Sequence, residues 1–221
     1  MQKPKVKICC IASIAEAMLS INAGAAAVGL VGLMPSGPGV ITNTQIASIV
    51  RNIPPSIDSF LLTSETSAKA IIEHHQLVQT TTIQMVDALH EGTYDQIRQA
   101  LPEVKLVQVI HVLNQQSVEE ALRIAPQVDF LLLDSGNPNL AVKKLGGTGK
   151  THDWTLSQQI VTQSEVPVFL AGGLKASNVS AAIQQVQPYG LDLCSGVRTD
   201  GRLDGEKLAA FFNAVHGAEI N

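Results

Sequence analysis

Three side chains capable of acid–base chemistry stand at or near the ends of short apolar segments of the sequence. They are Cys9, Asp134 and Asp192. A carboxyl group can donate a proton and a thiolate can accept one, so an aspartate and a cysteine together could move protons on a substrate. Each also has a plainer interpretation, because free cysteines are commonly buried and inert and an aspartate after a strand commonly caps a turn. A site requires a fold that brings the three together.

Short β-branched apolar segments alternate with longer segments of helical period along the whole chain. Strict alternation implies a parallel sheet, and eight strand–helix units in 221 residues favour a single α/β domain folded as a closed (β/α)8 (TIM) barrel. A doubly wound open sheet is the alternative, but its dinucleotide-binding glycines are missing after the first strand. The predicted strands are 5–10, 26–32, 57–63, 81–86, 105–112, 128–134, 166–171 and 191–194. The predicted helices are 14–22, 43–51, 65–75, 93–101, 115–124, 154–163, 176–186 and 205–215, with Ser13, Ser64, Ser117 and Asp204 as N-caps.

The carboxyl ends of all eight strands of such a barrel meet at one rim, where catalytic groups lie. Alternation in the first strand puts Lys5, Lys7 and Cys9 on one face, which we expect to point into the barrel. The segment 135–153 is far longer than an ordinary strand-to-helix loop, so we expect it to cover the site. Asp134, before this segment, then shares the barrel mouth with Cys9.

Glycine-rich turns lie late in the long loop and after the seventh and eighth strands. Glycine lets backbone N–H groups approach and wrap an anion, and the last two turns of such barrels commonly hold phosphate. An ordinary tight turn is the alternative for any one of them. Together they predict a phosphorylated small-molecule ligand, and the residues are Gly146, Gly147, Thr148, Gly172, Gly173, Ser195 and Gly196.

The histidines carry weaker signals. We expect His74 and His75 to be solvated on a helix, His90 to lie in a loop, and His111 to reach the barrel mouth without a recognisable partner. No pair of histidines has metal-ligand spacing with a carboxylate, so we predict no metal site.

The composition limits the class of protein. The chain is 45% apolar and has a net charge of −4, from 15 Lys and Arg against 19 Asp and Glu, with no basic run. We expect one globular domain over residues 1–221, with neither nucleic acid nor membrane as a partner. Three cysteines cannot close a disulfide framework, and no signal peptide or membrane span is recognisable, so we expect reduced thiols and a cytoplasmic location. Phe211 and Phe212 are expected to be exposed, which leaves a monomer and a homodimer open.

The motifs and their order resemble the phosphoribosylanthranilate isomerase family over the full chain. The segment GGTGKTHDW at 146–154 is the most specific piece. The other matches are KIC at 7–9, LLDS at 132–135, AGGL at 171–174 with NV at 178–179, and SGV at 195–197 after Asp192. The resemblance implies a single (β/α)8 barrel that catalyses an Amadori rearrangement in tryptophan biosynthesis, without a cofactor.

In that reaction a general acid protonates the furanose ring oxygen, so that the sugar opens to a Schiff base, and a general base removes the proton from C2. The resemblance implies that Cys9 is the base and Asp134 the acid, and that the glycine turns, with Lys7 and Asp192, bind the sugar phosphate. Because the ordinary pKa of an aspartate is about 3.9, we expect burial to raise the pKa of Asp134, and we expect Lys7 to favour the thiolate of Cys9.

Four positions depart from the family's pattern. Cys10 replaces a glycine, Gly39 an arginine that holds the anthranilate carboxylate, Val86 a histidine, and Arg198 a glutamate. A charge-assisted contact to a carboxylate contributes about 1.5–3 kcal/mol. We therefore expect Gly39→Arg to improve kcat/KM, provided that position 39 does not need a positive φ, and we expect Arg198 or a lysine of the long loop to hold the carboxylate in place of the arginine.

Two alternatives stand beside this function. One is a paralogous isomerase acting on another N-phosphoribosyl amine, and the other is a non-catalytic barrel that binds sugar phosphates. The presence of both Cys9 and Asp134 argues against the second, because binding alone needs neither.

Overall fold

A computed structural model describes residues 3–35, 37–136 and 151–218 of the chain. They form a closed barrel of eight parallel strands, with β1 paired to β8 and a helix after each strand. The strands are β1 (Lys5–Ile8), β2 (Ala27–Val31), β3 (Asp58–Thr63), β4 (Thr82–Met85), β5 (Lys105–His111), β6 (Phe130–Asp134), β7 (Val168–Leu170) and β8 (Gly190–Leu193). The helices are α1 (Ile14–Asn22), α2 (Asn43–Asn52), α3 (Ala68–Val78), α4 (Tyr94–Ala100), α5 (Gln115–Ile124), α6 (Trp154–Gln163), α7 (Val179–Val186) and α8 (Gly205–Gly217). The predicted (β/α)8 barrel is confirmed.

A short hairpin that the periodicity did not predict lies between β8 and α8. Its strands are β9 (Arg198–Thr199) and β10 (Arg202–Leu203), which pair antiparallel. Each strand of this hairpin has only two residues, which is too short for an alternating hydrophobic pattern, so the sequence periodicity could not predict it.

The helix starts differ from prediction where a different side chain provides the cap. α3 begins three residues later than predicted, because Ser67 and not Ser64 accepts a hydrogen bond from the N–H of Ala70. α5 is capped by Asn114, and Ser117 lies inside the first turn. Ser13 and Asp204 are N-caps as predicted.

Two apolar cores hold the barrel together. The larger core fills the layer between the sheet and the helices. It contains Phe211 and Phe212, which are 0% and 5% exposed, so the prediction that these rings are exposed is wrong. Their helix buries them against the sheet, because the apolar face of α8 is its inner face.

The smaller core fills the inside of the barrel and closes its amino-terminal end. Phe169 packs edge-on against Phe60 and Phe130, with ring centroids 5.9 and 5.7 Å apart. Above this aromatic plug, buried polar side chains such as Lys7 and Gln84 alternate with apolar ones such as Leu62 and Val109. Among the described residues, the inside of the barrel opens at its carboxyl-terminal mouth. In the described part of the chain, no helix is long and apolar enough to cross a membrane.

Candidate active site

A cavity of about 700 Å³, open to solvent, occupies the carboxyl-terminal mouth of the barrel. Its walls include Cys9 from the end of β1, Asp134 from the end of β6 and Asp192 from β8. The structure therefore brings together the three titratable residues that the sequence placed at strand ends.

Asp134 is a buried carboxyl group at the end of β6, 6% exposed. Burial raises its pKa to about 6, and the negative charge of Asp192 adds to the effect, while the N–H groups of Ser135 and Gly136 and the charge of Lys7 act in the opposite direction. Desolvation dominates because a carboxylate loses its hydration shell in the barrel. Asp134 can therefore carry a proton near neutral pH, as a general acid must.

Cys9 lies at the point where β1 leaves the sheet, 5% exposed. Its backbone N–H donates to the carbonyl of Leu193 at 2.7 Å, which fixes the residue beside β8. Space for its side chain comes from Gly29 on β2, because a Cβ at Gly29 would lie 2.9 Å from the Cys9 sulfur. The thiol is thus held against the β2 side of the cavity.

Lys7 and Asp192 form a buried ion pair at the bottom of the cavity. The Lys7 ammonium donates to Oδ1 of Asp192 at 2.8 Å and lies 5.1 Å from the centroid of Phe60. Burial lowers the pKa of Lys7, but the charges of Asp192 and Cys9 outweigh it, so the pKa is raised on balance. Asp192 lines the cavity and Lys7 does not. The structure therefore places Lys7 beneath the cavity, where it orients Asp192 from below.

The turns after β7 and β8 have the backbone that close approach to an anion requires. Gly172 and Gly173 have φ of +83° and +62°. A Cβ at Gly196 would lie 2.0 Å from the carbonyl oxygen of Leu174, so only glycine fits there. Within the described residues, the N–H groups of Gly172 and Gly173 donate to no backbone acceptor in the turn and loop hydrogen bonds. They line the cavity together with Ser195 and Gly196.

The third predicted glycine turn, Gly146, Gly147 and Thr148, lies outside the described residues. The end of the same motif is described. His152 accepts or donates a hydrogen bond at 2.6 Å with the Ser157 hydroxyl, and burial lowers its pKa to about 4. Its Nδ1 lies 3.1 Å from where a Cβ on Gly172 would stand, so His152 packs as a neutral ring under the β7 turn.

Arg198 does not line the cavity, and its guanidinium is occupied by protein groups. It donates to Glu16 at 3.1 Å and to the carbonyl oxygens of Cys9 and Cys10 at 3.2 and 2.6 Å. A further bond runs to the carbonyl of Gly201. Arg198 therefore connects the end of β1 to the start of α1, which argues against the predicted role as a holder of the substrate carboxylate.

Cys10 and Gly39 are in direct contact, which explains two departures from the family's pattern together. Cys10 has φ +62°, in the left-handed region that glycine favours, and Gly39 has φ +79°. A Cβ on Gly39 would lie 2.5 Å from the Cβ of Cys10. The condition attached to Gly39→Arg thus fails, because position 39 needs both a positive φ and the space that Cys10 now fills.

The histidines on α3 are partnered and not solvated, contrary to prediction. His74 contacts Thr63 Oγ1 at 3.0 Å and Asn43 Oδ1 at 3.1 Å, and His75 contacts the carbonyl of Thr80 at 2.7 Å. His111 is buried beside the cavity and has a partner, since its Nε2 lies 3.1 Å from the carbonyl oxygen of Val86. Among the described residues, no cluster of His, Cys, Asp and Glu is suited to a metal ion.

Gln84 is a cavity residue that the sequence interpretation did not single out. Its side chain lines the cavity and is 3% exposed, and its Oε1 has no hydrogen-bond partner among the described residues. A buried amide oxygen without a partner is costly in an isolated protein, so it is a ready acceptor for a ligand hydroxyl. Its inward position in β4 is the signal that could have found it.

Comparisons with known proteins assign the chain to a family. A family model for N-(5'phosphoribosyl)anthranilate (PRA) isomerase matches residues 6–214. The N-(5'-phosphoribosyl)anthranilate isomerase of Nostoc punctiforme is 35% identical over 220 residues, covering 97% of this chain and 100% of the relative. The N-(5'-phosphoribosyl)anthranilate isomerase 2 of Methanosarcina mazei is 34% identical, covering 97% of this chain and 94% of the relative.

Solved structures show the same fold over nearly the full length. Phosphoribosyl anthranilate isomerase from Thermotoga maritima is similar with a TM-score of 0.80 and 28% identity, covering 97% of this chain and 99% of that chain. A phosphoribosyl anthranilate isomerase in complex with reduced 1-(o-carboxyphenylamino)-1-deoxyribulose 5-phosphate has a TM-score of 0.77 and 25% identity, with the same coverage. This chain therefore belongs to the N-(5'-phosphoribosyl)anthranilate isomerase family.

Proposed function

We propose that this protein isomerises N-(5'-phosphoribosyl)anthranilate to the 1-deoxyribulose 5-phosphate derivative, with Asp134 as general acid and Cys9 as general base. The reaction is the aldose–ketose isomerisation of the family, a step of tryptophan biosynthesis. One observation carries the assignment of residues: the buried Asp134 carboxyl, with its pKa raised to about 6, shares a cavity with the Cys9 thiol.

The acid step uses the proton that burial keeps on Asp134. With a pKa of about 6, roughly a tenth of the molecules carry this proton at pH 7. Transfer to the ring oxygen breaks the bond between that oxygen and C1, and the nitrogen lone pair forms the Schiff base. The carboxylate that remains is stabilised by the N–H groups of Ser135 and Gly136 and by the charge of Lys7.

The base step belongs to Cys9. Its thiolate removes the proton from C2, and the electrons move to the Schiff-base nitrogen to give the enol form of the product amine. The Lys7 ammonium lies beneath the cavity, where, against burial, the charges of Asp192 and Cys9 raise its pKa. Lys7 acts here as a positioning residue, because it lies below the cavity and not in it.

The cavity offers polar groups to both parts of the sugar phosphate, the phosphate and the sugar hydroxyls. The N–H groups of Gly172, Gly173, Ser195 and Gly196 are the proposed phosphate donors, together with the turn at 146–148 that lies outside the described residues. Asp192 and Gln84 at the cavity floor can accept hydrogen bonds from the sugar hydroxyls. No cofactor enters any of these steps.

The aromatic half of the substrate meets an apolar wall. The described residues that line the cavity include Val31, Met34, Leu62 and Val86, and none of them is Lys, Arg or His. The ring is well accommodated, but the carboxylate has no fixed counter-charge within the described residues. We therefore expect KM for phosphoribosylanthranilate to be raised while the ring-opening chemistry is intact.

The decisive experiment is steady-state turnover of phosphoribosylanthranilate by the wild type, Cys9→Ser, Asp134→Asn and Cys10→Ser. Each of the first two substitutions should lower kcat at least about 100-fold, the lower size of a general acid–base contribution, while phosphate affinity stays nearly unchanged. Activity that survives Cys9→Ser and disappears in Cys10→Ser would assign the base to the neighbouring thiol. A wild type without turnover would refute the proposed function.

Neither a paralogous isomerase for another amine nor a non-catalytic binding barrel receives support from the named relatives. The partner is a small phosphorylated substrate. A cytoplasmic location and a monomeric or homodimeric state remain expectations from the sequence, which cell fractionation and sedimentation velocity can check.

A further inference from the structure

His74 on α3 contacts both ends of the loop between β2 and α2. This β2–α2 loop comprises residues 32–42, and its Met34, Gly37 and Pro38 line the cavity. His74 itself does not line the cavity, and none of the proposed catalytic steps uses it. Its contacts therefore need an explanation of their own.

The ring of His74 is hydrogen-bonded through both nitrogens. Its Nε2 lies 3.1 Å from Oδ1 of Asn43, the first residue of α2, and its Nδ1 lies 3.0 Å from the hydroxyl of Thr63 at the end of β3. Burial lowers the pKa of His74, against the charge of Glu65, so the ring is neutral at pH 7. Since an amide oxygen only accepts, Nε2 carries the proton and donates to Asn43, while Nδ1 accepts from the Thr63 hydroxyl.

The start of the loop packs on the same ring. The N–H of Gly32 donates to the carbonyl of Leu62 at 3.0 Å. A Cβ on Gly32 would lie 2.8 Å from Nε2 of His74 and 3.2 Å from that carbonyl oxygen, so a glycine is needed to leave the ring its place. One imidazole therefore contacts the first residue of the loop and the residue that follows its last one.

The hydrogen bonds through His74 form a chain with one direction. The N–H of Glu65 donates to the Thr63 hydroxyl at 3.3 Å, this hydroxyl donates to His74, and His74 donates to Asn43. Successive hydrogen bonds of this kind polarise and strengthen one another. The end of β3 is thus connected to the start of α2 by polar contacts that depend on the imidazole.

The loop carries part of the cavity wall that meets the aromatic half of the proposed substrate. Met34 lies in this wall together with Val31 and Leu62. Asp134 and Cys9 belong to other segments, the end of β6 and the end of β1, and the N–H of Cys9 is bonded to β8. A displacement of the loop therefore acts on the binding of the aromatic ring more than on proton transfer.

We propose that His74 is a positioning residue, which holds both ends of the β2–α2 loop against β3 and thereby sets the apolar wall that receives the aromatic ring of the substrate. The kinetic consequence rests on the proposed function, whereas the anchoring of the loop does not. No proton of the reaction passes through His74.

Steady-state kinetics with phosphoribosylanthranilate compare the wild type with His74→Leu, which removes both ring nitrogens, and with His74→Gln, which retains an N–H for Asn43. His74→Leu should raise KM at least about tenfold and change kcat less than about threefold, the pattern of lost binding and not of lost transition-state stabilisation. His74→Gln should recover most of the change in KM.

Asn43→Ala tests the same hydrogen bond from its other side. Asn43 is partly exposed at the start of α2, so this variant keeps the imidazole and should fold normally. It should raise KM in the same direction, and adding it to His74→Leu should raise KM little further, because both changes remove one contact.

The matched control is His75→Leu on the same helix. His75 is 5% exposed, and its Nε2 lies 2.7 Å from the carbonyl oxygen of Thr80, which precedes β4 at the opposite end of the barrel from the cavity. His75→Leu should lose stability in urea unfolding, because it removes a buried hydrogen bond, and should leave KM within about twofold of the wild type.

Hydrogen exchange gives a readout that needs no turnover. The N–H groups of Gly32 and Ile41 donate to the carbonyls of Leu62 and Val31, each at 3.0 Å, and close the two ends of the loop. Relative to the amides of β6, their exchange should be at least about tenfold faster in His74→Leu and unchanged in His75→Leu.

An unchanged KM in His74→Leu, an equal rise of KM in His75→Leu, or a loss confined to kcat would overturn the proposal. Unchanged exchange of the two loop amides would overturn the anchoring whatever the kinetics show. Faster exchange in His74→Leu, together with a wild type that does not turn over phosphoribosylanthranilate, would support the anchoring and refute the proposed function.

Discussion

Asp134 is kept in an environment that suits the proposed reaction and opposes the stability of the fold. Its folded pKa of about 6 exceeds the ordinary value of 3.8. The contribution of the protonated carboxyl group to the free energy of unfolding is therefore fully present below about pH 4 and is lost as the pH rises through 6. Burial of the Asp134 carboxylate thus works against folding at neutral pH.

Asp134→Asn should stabilise the protein while it abolishes turnover. The neutral amide removes the cost of a buried charge, roughly 3 kcal/mol at pH 7 as an upper value, and the gain should shrink toward zero at about pH 4. Urea unfolding of the wild type and of Asp134→Asn between pH 4 and 7 measures this gain in stability. A gain that is the same at every pH would mean that the charge of Asp134 is not the cause.

The contact between Cys10 and Gly39 predicts that neither position can return to the family's pattern alone. Gly39→Arg should be destabilised and should not improve kcat/KM, because its Cβ meets the Cβ of Cys10 at 2.5 Å. Cys10→Gly with Gly39→Arg removes the contact between the two Cβ atoms, but the Cα of residue 10 still lies 2.9 Å from the added Cβ and position 39 keeps its φ of +79°. The double variant should therefore be less destabilised and turn over phosphoribosylanthranilate faster than Gly39→Arg alone, without exceeding the wild type in kcat/KM.

Cys10→Gly alone is the matched control, since it removes the thiol without adding charge. Equal kinetics for Gly39→Arg in both backgrounds would show that the two positions are not coupled.

At the level of elements, Arg198 joins three pieces of chain that are distant in sequence. It connects Glu16 at the start of α1, the end of β1 and the hairpin before α8. The hydrogen bond and charge of Arg198, with the N–H groups of Leu203 and Ala12, outweigh burial and hold the pKa of Glu16 below its usual value. This carboxylate therefore contributes stability above about pH 4.3, which is lost as the pH falls through the lowered pKa.

Arg198→Met should destabilise the protein by roughly 2–4 kcal/mol at pH 7, because Glu16 loses its cationic partner and the carbonyl groups of Cys9 and Cys10 lose a donor. It should also lower kcat more than it changes KM, since the end of β1 carries Cys9. The matched control is Lys105→Met, which breaks the exposed pair with Asp58 and should cost less than about 1 kcal/mol. Equal losses in the two variants would contradict the role given to Arg198.

At the level of the whole molecule, we expect an anion bound at the proposed glycine turns to bridge the ends of the neighbouring strands β7 and β8. Inorganic phosphate at about 100 times its Kd should add about 2.7 kcal/mol and raise Tm by roughly 5–10 °C. Thermal unfolding with phosphate, against chloride at equal ionic strength, measures this.

Gly172→Ala should lose most of the phosphate-dependent shift, because a Cβ there would press on Ser135 Oγ at 3.0 Å and distort the turn. Gly201→Ala is its control: φ is also positive at +77°, but no atom lies within 4 Å of the added Cβ. If phosphate raises Tm as much in Gly172→Ala as in Gly201→Ala, then the phosphate does not bind at this turn.

The sequence by itself determined the barrel, the strand ends that carry Cys9, Asp134 and Asp192, and the glycine turns after β7 and β8. These features depend on local rules, because strand and helix periods and the freedom of a glycine backbone are properties of a few consecutive residues. Eight such units in one chain then allow few arrangements other than closure.

Only the tertiary structure decided how the side chains are used. Arg198 and Glu16 are 182 residues apart in the sequence, and Lys7 and Asp192 are 185 apart, so neither pairing has a local signal. The same holds for the contact of Cys10 with Gly39, for the partners of His74 and for the burial of Phe211. The physical reason is that these side chains acquire their partners only when separate segments pack together, as when β1 meets β8 to close the barrel or α2 and α3 pack beside β3.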